Sequence, residues 1–137
     1  MTRINLVPPS ELYDQHLIAE YREIRLLTQN LRRSFNGKKG IPPERIPKQF
    51  TLNTGHIRFF ADKGLYISKR YQQLRQEMIK RGFTPQYESI DENVWPSHYF
   101  NDWEPSERDL EIIRERIAQK VSTKPEWYRY YGRKINT

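Results

Sequence analysis

Two groups near the start of the chain are equipped for covalent chemistry. Thr2 follows Met1, and a small second residue favours removal of the methionine, so Thr2 is expected to carry a free α-amine. An α-amine has a reference pKa of about 7.7–8.0, against about 10.4 for lysine, so at neutral pH roughly a tenth or more of it is uncharged. An uncharged amine attacks an electrophilic carbon and forms a Schiff base. The second group is a carboxylate. His16, Glu20 and Glu23 follow one another at steps of four and three, which places them on one face of a helix. Arg22, Arg25 and Arg32 fall on a neighbouring face. Taken alone, Glu20 and Glu23 read as solvated carboxylates in ordinary ion pairs, and every chain has an N-terminus. The residue types leave the chemistry open.

The rest of the chain is built for a polyanion with flat faces. It has 137 residues, with 24 Lys and Arg against 17 Asp and Glu, a net charge of +7, and nine tyrosines. Basic residues interleaved with rings suit nucleic acid, although a basic balance by itself also fits a solvated surface. Lys63, Lys69, Arg70, Gln73 and Lys80 are expected on the outer side of one helix, and Arg116 and Lys120 lie one turn apart on another. The tail Trp127-Tyr128-Arg129-Tyr130-Tyr131-Gly132-Arg133-Lys134 alternates rings with positive charge. Trp127 and one tyrosine are expected to cap the helices, leaving the remaining rings and Arg129 for DNA. The chain has no cysteine, which excludes disulfides, thiolate catalysis and Cys-ligated metal. His16, His56 and His98 are scattered without carboxylate spacing, so no metal site is expected, and His56 and His98 read as structural. No apolar run approaches the ~20 residues of a membrane span, and the segment after Arg3 lacks a signal-peptide core.

These groups need a scaffold, and hydrophobic spacing describes one. Leu17, Tyr21, Ile24, Thr28, Leu31 and Phe35 recur at four- and three-residue steps and predict a helix from near Ser10 or Asp14 to about Phe35, stopped by Asn36-Gly37. Prolines 42, 43 and 47 make 38–52 an irregular connection. A second helical stretch runs from about Thr54 to Arg81 with the seam Ile57, Phe60, Gly64, Ile67, Tyr71, Leu74 and Met78. Gly64 marks either a close contact or a break. Residues 83–105 are irregular. Ser106 followed by Asp109 predicts an N-cap, and Leu110, Ile113, Ile117 and Val121 form the stripe of a third helix ended by Pro125. No useful period-two alternation appears, so strands are not expected. The prediction is an all-α fold: one domain over 1–137, with three main helices, irregular connections and an aromatic C-terminal tail.

Several blocks in order along the chain carry a resemblance. They are Thr2-Arg3-Ile4-Asn5-Leu6, Asp14-Gln15-His16-Leu17, Ala19-Glu20-Tyr21-Arg22-Glu23, Gly55-His56, Phe59-Phe60, Asp62-Lys63, Lys80-Arg81-Gly82-Phe83 and Trp127-Tyr128-Arg129-Tyr130-Tyr131-Gly132. Together the chain resembles the pyrimidine-dimer DNA glycosylase/AP lyase family of the phage endonuclease V type, least so over Thr84–Ser106. The resemblance implies a compact helical fold with the N-terminal segment threaded between helices. It implies that Thr2 is the nucleophile and Glu23 the acid/base residue, without metal or other cofactor. Arg3 and Arg22 match family arginines and are expected to clamp phosphates. Where the family is basic just after the glutamate, this chain has Leu26, and Arg25 stands one step earlier, turned about 100° on the helix. Gln15 and His16 are expected near DNA, Arg70, Arg116 and Lys120 on its backbone, and Tyr128, Arg129 and Tyr130 at the dimer. The implied partner is duplex DNA carrying pyrimidine dimers or abasic sites, kinked and with one base turned out. The implied setting is a monomer in the cytoplasm of a bacterial or phage-infected cell. A non-catalytic basic helical DNA-binding module is the competing reading, and an interaction domain without nucleic acid is a further one.

Overall fold

The structure, a computed structural model, describes residues 3–134. Met1, Thr2 and residues 135–137 lie outside the described residues. Among those described there are four α-helices: α1 (Asp14–Asn36), α2 (His56–Phe59), α3 (Gly64–Lys80) and α4 (Glu107–Thr123). The chain is mostly helical, as expected.

The expected stripe of α1 is buried from Leu17 to Leu31, with Phe35 half-buried at its end. Of the two possible starts, Asp14 opens the helix, while Ser10 belongs to a separate 3-10 turn over Pro9–Glu11. α1 and α3 pack together and hold the single main core. α4 has the expected cap in full. The Ser106 hydroxyl accepts from the Asp109 amide and the Asp109 carboxylate accepts from the Ser106 amide, which satisfies two orphan donors at once. Its Ile113 and Ile117 are buried.

The second stretch differs from the single helix expected. It is broken into α2, a 3-10 turn over Phe60–Asp62, and α3. Gly64 is both of the things its position suggested. It opens α3 after the break, and a Cβ there would stand 2.6 Å from the Trp95 ring and 2.7 Å from Phe100. The break frees backbone groups, and the segment between α3 and α4 binds them. Trp95 Nε1 donates to the Phe60 carbonyl at 3.1 Å, Asn101 Nδ2 to the Asp62 carbonyl at 3.1 Å, and the Tyr66 amide donates to the Asn101 carbonyl at 3.2 Å. Ile90, Val94, Trp95 and Tyr99 of that segment are buried in the core. The segment between α3 and α4 therefore covers the break before α3.

The tail also departs from expectation. Arg129–Tyr130 (β1) and Arg133–Lys134 (β2) pair antiparallel, Arg129 with Lys134 and Tyr130 with Arg133. Two-residue strands are too short to show alternation in a sequence. The connection Tyr131-Gly132 has positive φ at both positions, 52° and 78°, the twist that a two-residue hairpin turn requires. Asp14, at the start of α1, holds this turn. Its carboxylate accepts from the Tyr131 and Gly132 amides at 3.1 and 2.7 Å and pairs with Arg81 at 3.0 Å. The buried Arg81 guanidinium lies 4.7 and 4.8 Å from the centres of the Tyr130 and Tyr131 rings.

Candidate active site and nucleic-acid interface

The first residues of the described chain form a strap without regular secondary structure, and three side chains tie it down. Arg3 Nε donates to the Leu52 carbonyl at 2.7 Å. The Ile4 amide donates to His56 Nε2 at 3.0 Å, and His56 Nδ1 donates to the Thr51 carbonyl at 2.8 Å. The carbonyl can only accept, so the Nδ1–H tautomer is set, and Nε2 is free to receive Ile4. Arg70 donates to the Leu6 and Val7 carbonyls at 3.2 and 2.6 Å while its other nitrogens grip Glu20 at 2.7 and 3.0 Å.

That arrangement corrects one expectation. Arg70 is 2% exposed with its guanidinium fully engaged, so it makes no phosphate contact and does not decorate an outer face. Glu20 is likewise no solvated carboxylate. It is wholly buried and forms the other half of this pair. Removing either partner strands the other charge in the core, a loss of about 3–5 kcal/mol.

Glu23 lies apart from Glu20. It is half-buried and lines a pocket of about 870 Å³ with Arg3, Asn30, Arg45, Asn53, His56 and Arg58. Burial pushes its carboxyl above the ordinary glutamate range, against the opposing pull of the Arg3 charge. One carboxylate thus faces three arginines across a cavity that opens to solvent, a layout suited to a cationic reaction centre flanked by phosphates. Thr2 immediately precedes Arg3 in the chain but lies outside the described residues.

A second pocket of about 180 Å³ lies on the same side of α1, lined by Asn5, Gln15, His16, Arg116, Lys120 and Trp127. His16 is buried, with its ring stacked on Tyr128 at 4.9 Å and 8°. Gln15 is spent on the tail: its Nε2 donates to the Trp127 carbonyl at 2.6 Å and its Oε1 accepts from the Arg129 amide at 3.0 Å. One tyrosine caps the helices, as expected, but it is a ring assigned to DNA, and the tryptophan expected beside it does not cap them. Tyr128, a candidate DNA contact, is 7% exposed and packs on His16, whereas Trp127, the expected cap, is 56% exposed. The α4 stripe ends before Trp127, and the chain turns there so that only one ring of the pair faces inward. Arg129 donates to the carbonyls of Glu126 and Tyr128, and the Tyr130 hydroxyl donates to the Ser10 carbonyl at 2.6 Å, leaving the Tyr130 ring partly exposed.

Arg22 is exposed and makes no ion pair with another described residue. Arg25 is turned away from Glu23. Its guanidinium stacks 3.5 Å from the centre of the Tyr87 ring and lines a different pocket with Arg32 and Arg33. Leu26, beside Arg22 on the helix, is 57% exposed. Arg116 is half-buried and Lys120 exposed, both at the second pocket.

Sequence reasoning missed Arg45, Arg58, Asn53 and Asn30. Asn30 was within reach, since it stands seven residues after Glu23 on the same helical face. Arg45 and Arg58 carry no periodic signal, because they come from a proline-rich turn and a one-turn helix that only the fold brings together. Neither makes an ion pair with another described residue. Replacing both with alanine should flatten the plot of log K against log salt for duplex DNA by up to about 2 units, near 0.9 for each phosphate lost. An unchanged slope in a salt titration would show that they touch no phosphate.

Both histidines of the site are neutral at pH 7. Burial lowers His16 to about 4, with Arg116 and Lys120 adding to the effect. Burial also lowers His56 to about 4, opposed by its Thr51 hydrogen bond and assisted by Arg3 and Arg116. The unfolded chain therefore binds more protons than the fold between about 6.5 and 4. Stability should fall as pH drops through that window, by up to about 3 kcal/mol per histidine, while Glu23, shifted the other way, offsets part of the loss. Urea unfolding from pH 7 to 4 reads this directly. His16→Gln should remove a substantial share of the dependence.

Fold and site together define a helical protein with one half-buried carboxylate in a cation-lined cavity that opens to solvent. The model of the family described as pyrimidine dimer DNA glycosylase matches residues 1–91. The chain belongs to that family, whose substrate is DNA containing pyrimidine dimers. The match takes in the strap, α1, the proline-rich connection, α2 and α3. Arg116, Lys120 and the aromatic tail lie beyond it. Among the described residues no helix is long and apolar enough to cross a membrane.

Proposed function

We propose that this chain excises cyclobutane pyrimidine dimers from duplex DNA and then cuts the strand at the same site, acting as a monomer of one domain. The half-buried Glu23 carboxyl carries this reading, because it shares its pocket with Arg3, the residue next to the proposed nucleophile. The Thr2 nitrogen attacks C1′ of the damaged nucleotide as the bond from C1′ to the base nitrogen breaks, and the base leaves with that electron pair. Glu23 stabilises the positive charge that develops on the sugar. One proton leaves the attached amine, and the C1′–O4′ bond then breaks as O4′ takes up a proton, which leaves an iminium at C1′ that keeps one N–H. The iminium acidifies C2′. Glu23 takes a C2′ proton, the electrons form a C2′–C3′ double bond, and the C3′–O bond breaks with the phosphate as leaving group. Water then hydrolyses the imine and frees the amine.

Arg3 and Arg22 hold the flanking phosphates. Arg116, Lys120, Arg129 and the Tyr130 ring extend the contact along the duplex, and abasic sites enter the same path at the second step. His16, Gln15 and Tyr128 act through packing and tail anchoring. Incision of UV-irradiated duplex, compared with abasic and undamaged duplex, tests the reading. Cleavage of the first two but not the third is expected, and no cleavage of irradiated or abasic DNA would end it.

A further inference from the structure

Two features that raise the energy of a fold sit next to each other in the strap. Leu6 has φ of 58°, a left-handed conformation rare for a buried leucine, and the Val7 amide closes a tight turn onto the Asn5 carbonyl at 2.5 Å. Asn5, just before it, is 1% exposed, and neither its Nδ2 nor its Oδ1 has a hydrogen-bond partner. Buried amides are nearly always paired, and strained backbone persists where surrounding structure forces it. Here Arg70 on Leu6 and Val7, and His56 on Ile4, clamp the strap on both sides of Asn5. The clamp holds Asn5 in the wall of the second pocket, which Gln15, His16 and Trp127 also line. His16 Nδ1, in the same pocket, is also without a partner.

The ligand chemistry follows from those atoms. A carboxamide offers one donor and one acceptor side by side, the complement of a nucleobase edge, and an asparagine pairs with a base in this bidentate way. The exposed Trp127 offers a face for stacking, and Arg116 and Lys120 supply charge for a phosphate. Ala19, which lines this pocket, precedes Glu23 by four residues, a rise of about 6 Å along α1. That is within two stacked-base spacings of about 3.4 Å. We propose that Asn5 is a base-reading residue, whose side chain pairs with the hydrogen-bonding edge of a nucleobase near the reacting sugar. The proposal rests on the DNA-repair reading but assigns a binding role to a residue outside the chemical steps.

The test uses binding alone, so its outcome separates from that of the chemistry. Full-length protein is titrated with duplexes carrying tetrahydrofuran, an uncleavable abasic analogue, at the lesion. One further base at a time is deleted on either strand within two nucleotides of it. At one position the deletion should weaken the wild-type protein roughly tenfold or more, and Asn5→Leu should not respond to that same deletion. Asn5→Leu should also raise Tm by roughly 3–6 °C, because it replaces an unpaired buried amide with an apolar group of similar shape. A wild-type protein indifferent to every deletion overturns the proposal without any variant. So does an Asn5→Leu protein with the wild-type deletion pattern, or one with a lowered Tm, since the amide would then be a structural group. Wild-type protein that binds position-dependently but cuts neither irradiated nor abasic duplex would instead sink the enzymatic reading and leave Asn5 as a base contact.

Discussion

Acetylating the N-terminal amine is expected to abolish the borohydride-trapped adduct with abasic duplex and to lower incision by roughly a thousandfold or more. An amide nitrogen has no available lone pair, so the covalent route closes while the DNA-binding surface is untouched. Binding to an uncleavable abasic duplex should therefore stay within a few-fold. Thr2→Pro should reduce trapping more mildly, because proline keeps a secondary amine at a constrained angle. Trapping that survives acetylation would assign the Schiff base to a lysine and remove Thr2 from the mechanism. The same chemistry makes methionine removal decisive. Retaining Met1 turns the Thr2 nitrogen into an amide and moves the free amine one residue, about 3.8 Å, along the chain. Intact-mass measurement of active protein should show the mass without methionine.

Glu23→Gln is expected to cost about 10²–10⁴ in incision of dimer-containing DNA. Glutamine keeps the shape and the hydrogen-bonding reach but can neither carry charge against a developing cation nor accept the C2′ proton. The fold should survive, since the carboxyl is half-buried and forms no ion pair with a described residue. A single-turnover rate within threefold of wild type would take Glu23 out of the chemistry. The pH dependence has a defined sign. Burial raises the Glu23 pKa above its ordinary value, so its active, ionised form is lost as pH falls, beginning above the window of a solvated glutamate. The neutral amine is also lost as pH falls, through about 7.7–8.0. Activity should therefore climb with pH through both steps, and Glu23→Gln should leave only the amine step. For stability the sign reverses. A carboxyl that holds its proton more tightly in the fold than in the unfolded chain contributes destabilisation once ionised, so Glu23→Gln should slightly stabilise the protein at neutral pH.

Much of this site could be read before any fold was known. Glu23 and the arginines beside it lie on a helix whose stripe of Leu17, Tyr21, Ile24, Thr28 and Leu31 is periodic enough to set its orientation. The Ser106 cap was equally legible, because a capping box is a local pattern of four residues. Arg70 shows where such reading stops. Its helix position permits either face, and only the arrival of Glu20 and the Leu6 and Val7 carbonyls draws it inward. Trp127 and Tyr128 are adjacent rings of similar chemistry, and which one turns toward His16 depends on how the chain leaves α4. Arg45 and Arg58 come from unrelated local structures, so nothing along the chain connects them.

The order of residues determined the family, the helical class, the basic surface and the carboxylate on α1, because each depends on residue type, spacing or sum of charge. Tertiary structure decided which charges stay available. It sank Arg70 and Glu20 into the core as a pair, turned Arg25 onto Tyr87, spent Gln15 on the tail, and left Asn5 unpaired in the wall of a pocket. Burial and partnership depend on segments far apart in the chain, such as residue 70 meeting residues 6 and 7, and no local pattern records those meetings.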